Sequence, residues 1–130
     1  MILLDTCTLI FDSLTPERLS IKAQQAIEEA ERETNLHYAD ISIWEIAMLI
    51  SKGRLDPGCD ALTFLRTVVA ARSLTLLPIT PEIADLSTKL DLPHNDPADR
   101  LIAATAVHHG ALLLTLDNAL LQAPEVRTLW

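Results

Sequence analysis

Two aspartates three residues apart stand before an apolar segment in "HNDPADRLIAATA" (94–106). Their spacing alone is ambiguous, because helix N-termini favour aspartate for reasons that have nothing to do with catalysis. Asp96, Pro97 and Asp99 fit an N-cap, a proline at the first helical position and an acid one turn in. A chemical role depends on whether other carboxylates of the chain can reach these two.

Three further acids stand beside predicted strands and helices. Asp5 ends the strand "MILLD" (1–5), Asp117 follows the strand "ALLLTL" (111–116), and Glu45 falls in the first turn of the helix after the second strand. In a parallel sheet, the strand C-termini and the helix starts that follow them face one edge. We expect these acids to converge there, with Asp99 placed less directly because it does not follow a strand.

Clustered carboxylates repel one another unless a cation lies among them. A site of oxygen ligands without His or Cys favours Mg²⁺ or Mn²⁺. Each acid also has a structural explanation: Ser42 and Glu45 fit a capping box, and Asp117 fits a cap of the short "NALLQ" turn. Asp5 is the hardest to explain in this way, since an ionisable group at the end of a core strand needs a partner.

The chain reads as strands alternating with helices, which predicts an α/β fold whose parallel sheet is covered on both faces, in a single domain spanning 1–130. Strands are predicted at 1–5, 36–41, 74–79 and 111–116, with an edge strand at 126–130. Helices are predicted at 19–33, 42–53, 60–72, 80–90 and 96–110, the second and the last ending at Gly53 and Gly110.

Composition limits the class of protein. The chain has 130 residues, is 49% hydrophobic and carries only 3 glycines, which suits one globular domain with a real core. No apolar run approaches the roughly 20 residues of a membrane span, and the start of the chain lacks the basic region of a signal peptide. Cys7 and Cys59 show no metal-binding or redox spacing, so a reduced pair in the cytoplasm is expected.

The net charge of −8 is unusual for a protein that binds nucleic acid through basic patches. Residues 52–72 nevertheless carry a local excess of two positive charges and could supply phosphate contacts. The basic side chains of this segment are Lys52, Arg54, Arg66 and Arg72.

Four segments, in order, resemble the PIN-domain ribonucleases, and more narrowly the VapC-type toxins of toxin–antitoxin pairs. They are "LLDTCTLIF" (3–11), "ISIWEIAML" (41–49), "LPITPEIADLSTKLDLPHNDPADRLIAATA" (77–106) and "LLLTLD" (112–117). The resemblance covers essentially the whole chain. It implies a PIN-like three-layer α/β/α fold with a central parallel sheet.

The same resemblance implies hydrolysis of RNA phosphodiesters by water that Mg²⁺ or Mn²⁺ activates. It assigns catalysis and metal binding to Asp5, Glu45, Asp99 and Asp117. Thr6, Asp96 and Thr115 are candidates to support these acids, with Asp96 either a helix cap or a residue of the metal site. The implied partners are an RNA substrate, a cognate antitoxin bound in an apolar groove, and a second copy of the chain in a homodimer. No membrane is involved.

Other interpretations fit less well. A haloacid-dehalogenase-type phosphatase requires a second aspartate where Cys7 stands, and a receiver domain requires paired acids after the first strand. A non-catalytic PIN-like RNA-binding or regulatory module remains the alternative, although such modules usually lack one of the acids. His94, His108 and His109 are interpreted as structural or surface residues, and Arg100 as support for the acids or one half of an ion pair.

Overall fold

The computed structural model describes residues 1–93 and 95–130, so His94 lies outside the described residues. The helices are α1 (Thr6–Leu14), α2 (Ile21–Arg32), α3 (Asp40–Ser51), α4 (Ala61–Ala71), α5 (Pro81–Ser87), α6 (Pro97–His109) and α7 (Asn118–Leu121). The strands are β1 (Ile2–Leu4), β2 (Leu36–Ala39), β3 (Thr75–Leu77), β4 (Leu112–Leu114) and β5 (Thr128–Leu129). A 3-10 turn, Pro16–Arg18, joins α1 to α2.

The sheet has five parallel strands in the order β3-β2-β1-β4-β5. Its central strand is β1, whose Leu4 pairs with Tyr38 on one side and with Leu114 on the other. The predicted strands are therefore all present, although each is shorter than expected. Because β2 and β3 lie on one side of β1 whereas β4 and β5 lie on the other, the strand order reverses between β1 and β4, and the ends of these two strands form the kind of crevice where open α/β sheets bind ligands.

Alternate residues of the strands pack into two separate cores. Leu3 and Leu113 face α5 and α6 and pack with Ile83 and Ile102. Leu4 and Leu114, one residue further along, face the opposite layer. There they pack with Leu9, Ile27, Ile46, Phe64 and Val68, which come from α1, α2, α3 and α4. This arrangement confirms the three-layer α/β/α fold. Among the described residues, no helix combines the length and apolar character that crossing a membrane requires.

Three helices differ from the sequence-based expectation, and one of them is α5, which ends at Ser87 instead of residue 90. No helix is predicted over 6–14, yet α1 starts directly after β1, with Asp5 as its N-cap. The second strand stops at Ala39 instead of residue 41, because Asp40 already belongs to α3. The predicted stop at Gly110 is confirmed: its left-handed backbone (φ 62°) closes α6, a conformation that glycine adopts without steric cost.

Arg72 joins three helices instead of facing solvent as a free cation. Its guanidinium donates from Nε and Nη2 to the Asp12 carboxylate, at 2.6 and 2.9 Å, and from Nη1 to Glu31 at 2.7 Å. These contacts link the end of α4 to α1 and α2. Three of the five N–H donors of Arg72 are thus directed at two carboxylates, and a phosphate contact by residues 52–72 stays a prediction.

Asp96 begins α6 as the sequence predicts. Its Oδ1 accepts the backbone N–H of Ala98 at 3.0 Å, Pro97 stands at the first helical position, and Asp99 lies one turn in. The backbone of Asp96 is extended, which the following proline favours. Asp60 caps α4 in a similar way, with its Oδ1 accepting the N–H of Thr63 at 2.9 Å.

We expect D96A to unfold about 1 kcal/mol more easily than D96N, because asparagine keeps the capping oxygen and alanine does not. Comparing alanine with asparagine removes the same charge in both variants and isolates the cap. D60A against D60N is the matched control at another helix. Urea unfolding measures both differences. Equal stabilities for D96A and D96N, with a normal difference at Asp60, would contradict the capping role.

Candidate active site

Asp5 stands where β1 gives way to α1, and its carboxylate is almost fully buried, with 4% of the residue exposed. Oδ1 accepts the backbone N–H of Thr6 at 2.8 Å, which caps α1. Oδ2 accepts the Thr115 hydroxyl at 2.6 Å and the Cys7 thiol at 3.4 Å. These three donors are a backbone N–H of α1, a side chain of α1 and a side chain at the end of the neighbouring strand, so two adjacent elements of the fold fix the carboxylate.

Thr115 links two of the predicted acids. Its hydroxyl donates to Asp5 and also accepts the backbone N–H of Asp117 at 3.0 Å. Asp117 follows β4 and caps the short helix α7, since its Oδ1 accepts the N–H of Leu120 at 3.1 Å. The predicted cap at Asp117 is thus present. Asp117 therefore caps α7 and also lies close to the end of the central strand β1.

Glu45 lies in the second turn of α3, so its predicted place in the first turn is wrong. The cause is the early start of the helix at Asp40. The capping-box interpretation of Ser42 and Glu45 fails for the same reason. Ser42 is fully buried instead, with its Oγ 2.9 Å from the Thr6 hydroxyl, and that hydroxyl is 2.5 Å from Oε1 of Glu45. Thr6 thereby connects α1 to the glutamate of α3.

Asp99 and Asp96 approach Glu45 from the start of α6. One carboxylate oxygen of each of these three acids lies within 4.8 Å of the others, a spacing that a single cation could bridge. Asp96 therefore caps its helix and also belongs to this acidic group. The two roles that the sequence left as alternatives are geometrically compatible.

All four acids predicted as site residues line one cavity of about 330 Å³. The lining consists of Asp5, Thr6, Cys7, Ile10, Glu45, Leu49, Asp99, Leu116 and Asp117. Asp5 and Asp117 come from the strand ends, whereas Glu45 and Asp99 come from helices on opposite faces of the sheet. The structure thus brings together residues that are 112 positions apart in the chain.

The acids lie in an environment that disfavours their charges. Burial, followed by the negative charges of Asp5, Asp96, Asp117 and Glu45, raises the pKa of Asp99 to about 8. Burial also raises the pKa of Asp5 and of Glu45, against hydrogen bonds that lower it. At neutral pH part of the negative charge in the cavity is therefore neutralised by protons.

Cys7 and Ser42 are the residues of the site that the sequence analysis did not select. Burial and then the nearby Asp5 charge raise the pKa of the Cys7 thiol to about 12, so the thiol keeps its proton at neutral pH. The sequence feature that could have identified Cys7 is its position directly after Asp5 and Thr6, in a segment that forms a helix. Without α1 in the predicted fold, the direction of its side chain could not be inferred.

Other predicted residues stay away from the cavity. Arg100 donates to the backbone carbonyl oxygens of Ser87 and Leu90, at 2.8 and 2.7 Å, and so joins α6 to the end of α5. His108 and His109 occupy the last turn of α6, about 20 Å along the helix from Asp96. Burial and the neighbouring histidines lower the pKa of His109, which agrees with a structural role.

Apolar surface is exposed on both sides of α3. A groove of about 710 Å³ runs beside the acids and includes Ile41, Trp44, Met48 and Pro97. A second groove of about 370 Å³ lies between α3 and α4 and is lined mainly by apolar side chains, among them Leu62 and Val69. Only some of the apolar side chains of α3 and α4 therefore lie in the hydrophobic core.

The chain matches the PIN domain family over residues 2–126. This chain belongs to the PIN-domain family. It is 38% identical to "Ribonuclease VapC22" of Mycobacterium tuberculosis over 134 residues, which covers 99% of this chain and 98% of that protein. The predicted resemblance to VapC proteins is confirmed by this relative.

Solved structures show the same PIN-domain fold. One of them is the structure of VapBC2 from Rickettsia felis bound to a promoter DNA fragment. It has a TM-score of 0.76 at 18% identity, and the match covers 100% of this chain and 99% of that chain. DNA-bound VapBC from Salmonella typhimurium has a TM-score of 0.70 at 19% identity. This match covers 98% of this chain and 96% of that chain. At these identities the likeness concerns the fold.

We expect D99N to be more stable than the wild type in EDTA at pH 8, and the advantage to shrink as the pH falls. The folded-state pKa of Asp99 lies above its unfolded value, so the wild type loses stability as the pH rises between about 4 and 8. Asparagine carries no charge to repel. Thermal unfolding across this pH range measures the difference, and D85N, which changes an exposed acid, is the control. A D99N advantage that is independent of pH would contradict the crowding of the acids.

Proposed function

We propose that this PIN-domain protein is a metal-dependent endoribonuclease and the toxin of a type II toxin–antitoxin pair. The observation that carries the proposal is the single cavity lined by Asp5, Glu45, Asp99 and Asp117. The relative named a ribonuclease, similar over nearly the full length of both chains, supports RNA as the substrate class. The chain acts as one PIN-like domain over residues 1–130.

The donor set of the cavity fits a hard divalent cation. Its candidate ligands are carboxylate oxygens, and the raised pKa of Asp99 supports a need for charge compensation at that residue. We assign metal binding to Asp5, Glu45, Asp99 and Asp117, with Mg²⁺ or Mn²⁺ as the ion. A cation bound there would lower the pKa of a water molecule and offset the charge of the phosphodiester.

The residues around the acids hold them in position. Thr115 and the backbone of Thr6 fix the Asp5 carboxylate, and the Thr6 hydroxyl holds Glu45. Asp96 fixes the first turn of α6 and thereby the position of Asp99. These contacts restrict the movement of each carboxylate before substrate arrives, which is how supporting residues commonly tune a metal site.

The acidic surface of the protein does not exclude an RNA substrate. A bound cation reduces the negative charge that faces the phosphates. Lys52, Arg54 and Arg66 are candidates for phosphate contacts, whereas Arg72 is engaged with Asp12 and Glu31. Such contacts position the RNA without reading its sequence.

An antitoxin and a second copy of the chain are the proposed protein partners. The similar solved structures are those of VapBC2 and VapBC, and the two grooves beside α3 offer apolar surface to a partner segment. Trp44 and Leu62 are more than half exposed there. A cytoplasmic location belongs to this proposal and agrees with two cysteines that are both free.

We expect the purified chain to cleave members of a panel of structured RNAs with Mg²⁺ or Mn²⁺ and to lose this activity in EDTA. D5N and D99N each remove one proposed ligand, so we expect at least a hundredfold loss of cleavage, at the upper range for disturbed metal sites. Gel analysis of the RNA fragments measures the activity. Circular dichroism of each variant verifies that it is folded.

D85N is the matched control, because it removes an exposed acid that pairs with Lys89 at 2.7 Å on the surface of α5. It should cleave as the wild type does. Full activity in both D5N and D99N would overturn the assignment of the site. RNA binding by the wild type without cleavage under any of the metal conditions would favour the non-catalytic PIN-like module.

A further inference from the structure

Cys7 lies in the cavity wall beside Asp5, where its thiol makes a specific contact. Its Sγ is 3.4 Å from Oδ2 of Asp5 and 4.0 Å from the Thr8 hydroxyl. The Thr8 hydroxyl donates its proton to the backbone carbonyl of Leu114 at 2.7 Å. The Asp5 carboxylate is the nearer of the two acceptors and the stronger one, so the single thiol proton of Cys7 is directed at Asp5.

The hydrogen bonds of Asp5 are unequally divided between its two oxygens. A carboxylate offers about two lone pairs on each oxygen. Thr115 and Cys7 together occupy both sites on Oδ2, whereas the Thr6 N–H occupies one site on Oδ1. The contacts of the described residues leave one lone pair, on Oδ1, for another partner.

We propose that Cys7 is a positioning residue that, with Thr115, holds Oδ2 of Asp5 and leaves Oδ1 as the oxygen that binds a divalent cation. The inference rests on the proposed metal-dependent function. If the thiol is removed, Oδ2 regains a free lone pair and the carboxylate can rotate away from the capping N–H of Thr6. The cation then meets a less ordered ligand.

Replacing Cys7 by serine or by alanine distinguishes a hydrogen-bonding role of the thiol from a packing role. A hydroxyl in place of the thiol still donates one hydrogen bond, whereas alanine removes the donor and keeps the small size of the side chain. Cys59 provides a matched control because it is free and exposed on the surface. C59A changes the same residue type away from the cavity.

The test is Mn²⁺ binding by calorimetry at pH 7.5 for wild type, C7A, C7S and C59A. We expect C7A to bind Mn²⁺ about tenfold more weakly, the lower end of the effect of residues that support metal ligands. C7S and C59A should bind as the wild type does. Because Cys7 and Thr115 share one oxygen, the losses in C7A and T115V should not add in the double variant.

RNA cleavage separates this inference from the proposed function. C7A should regain most of its activity at saturating Mn²⁺, since the defect lies in binding the ion. The proposed role of the thiol would be overturned if C7A bound Mn²⁺ as tightly as the wild type does. It would also be overturned if C7S bound Mn²⁺ as weakly as C7A does. A wild type that binds Mn²⁺ and never cleaves RNA would refute the nuclease while leaving the binding result for Cys7 valid.

Discussion

Mutual repulsion among carboxylates in one small cavity is the constraint on which the rest of this structure depends. Asp5 is buried in the wall of the cavity, and burial together with the charges of four neighbouring acids raises the pKa of Asp99 to about 8. A fold tolerates such crowding only when other interactions hold the acids in place. Here those interactions are helix caps and hydroxyl donors, and a bound divalent cation, as proposed, would compensate the charge of the acids.

The parallel sheet supplies the rigid part of this arrangement. Asp5 and Asp117 follow neighbouring strands whose registers align Leu4 with Leu114, so the strand ends reach the same edge. Helices on both faces then bring Glu45 and Asp99 over that edge. Because Asp5, Asp96 and Asp117 also cap helices, the side chains that suit metal binding contribute to the local structure that places them.

The sequence predicts much of this site because the acids follow recognisable strands and helix starts. The buried runs around Leu3 and Leu113 and the stop at Gly110 identify the α/β fold and the shared edge. Helix α1 escapes prediction because only Asp5 separates it from β1, so no turn in the sequence marks where the strand ends and the helix begins. The contacts of Cys7, Ser42 and Arg72 depend on distant partners, Asp5, Thr6 and Asp12, whose direction only tertiary packing determines.

Proton release on metal binding tests the central claim most directly. Calorimetric titration of the wild type with Mn²⁺ at pH 7.5, in buffers of different ionisation enthalpy, counts the protons that leave as the ion binds. With the pKa of Asp99 raised to about 8, more than half of this carboxyl is protonated before metal arrives. The account predicts Mn²⁺ binding with release of protons to the buffer, and a markedly smaller release in D99N. Binding without proton release, or no binding at all, would contradict it.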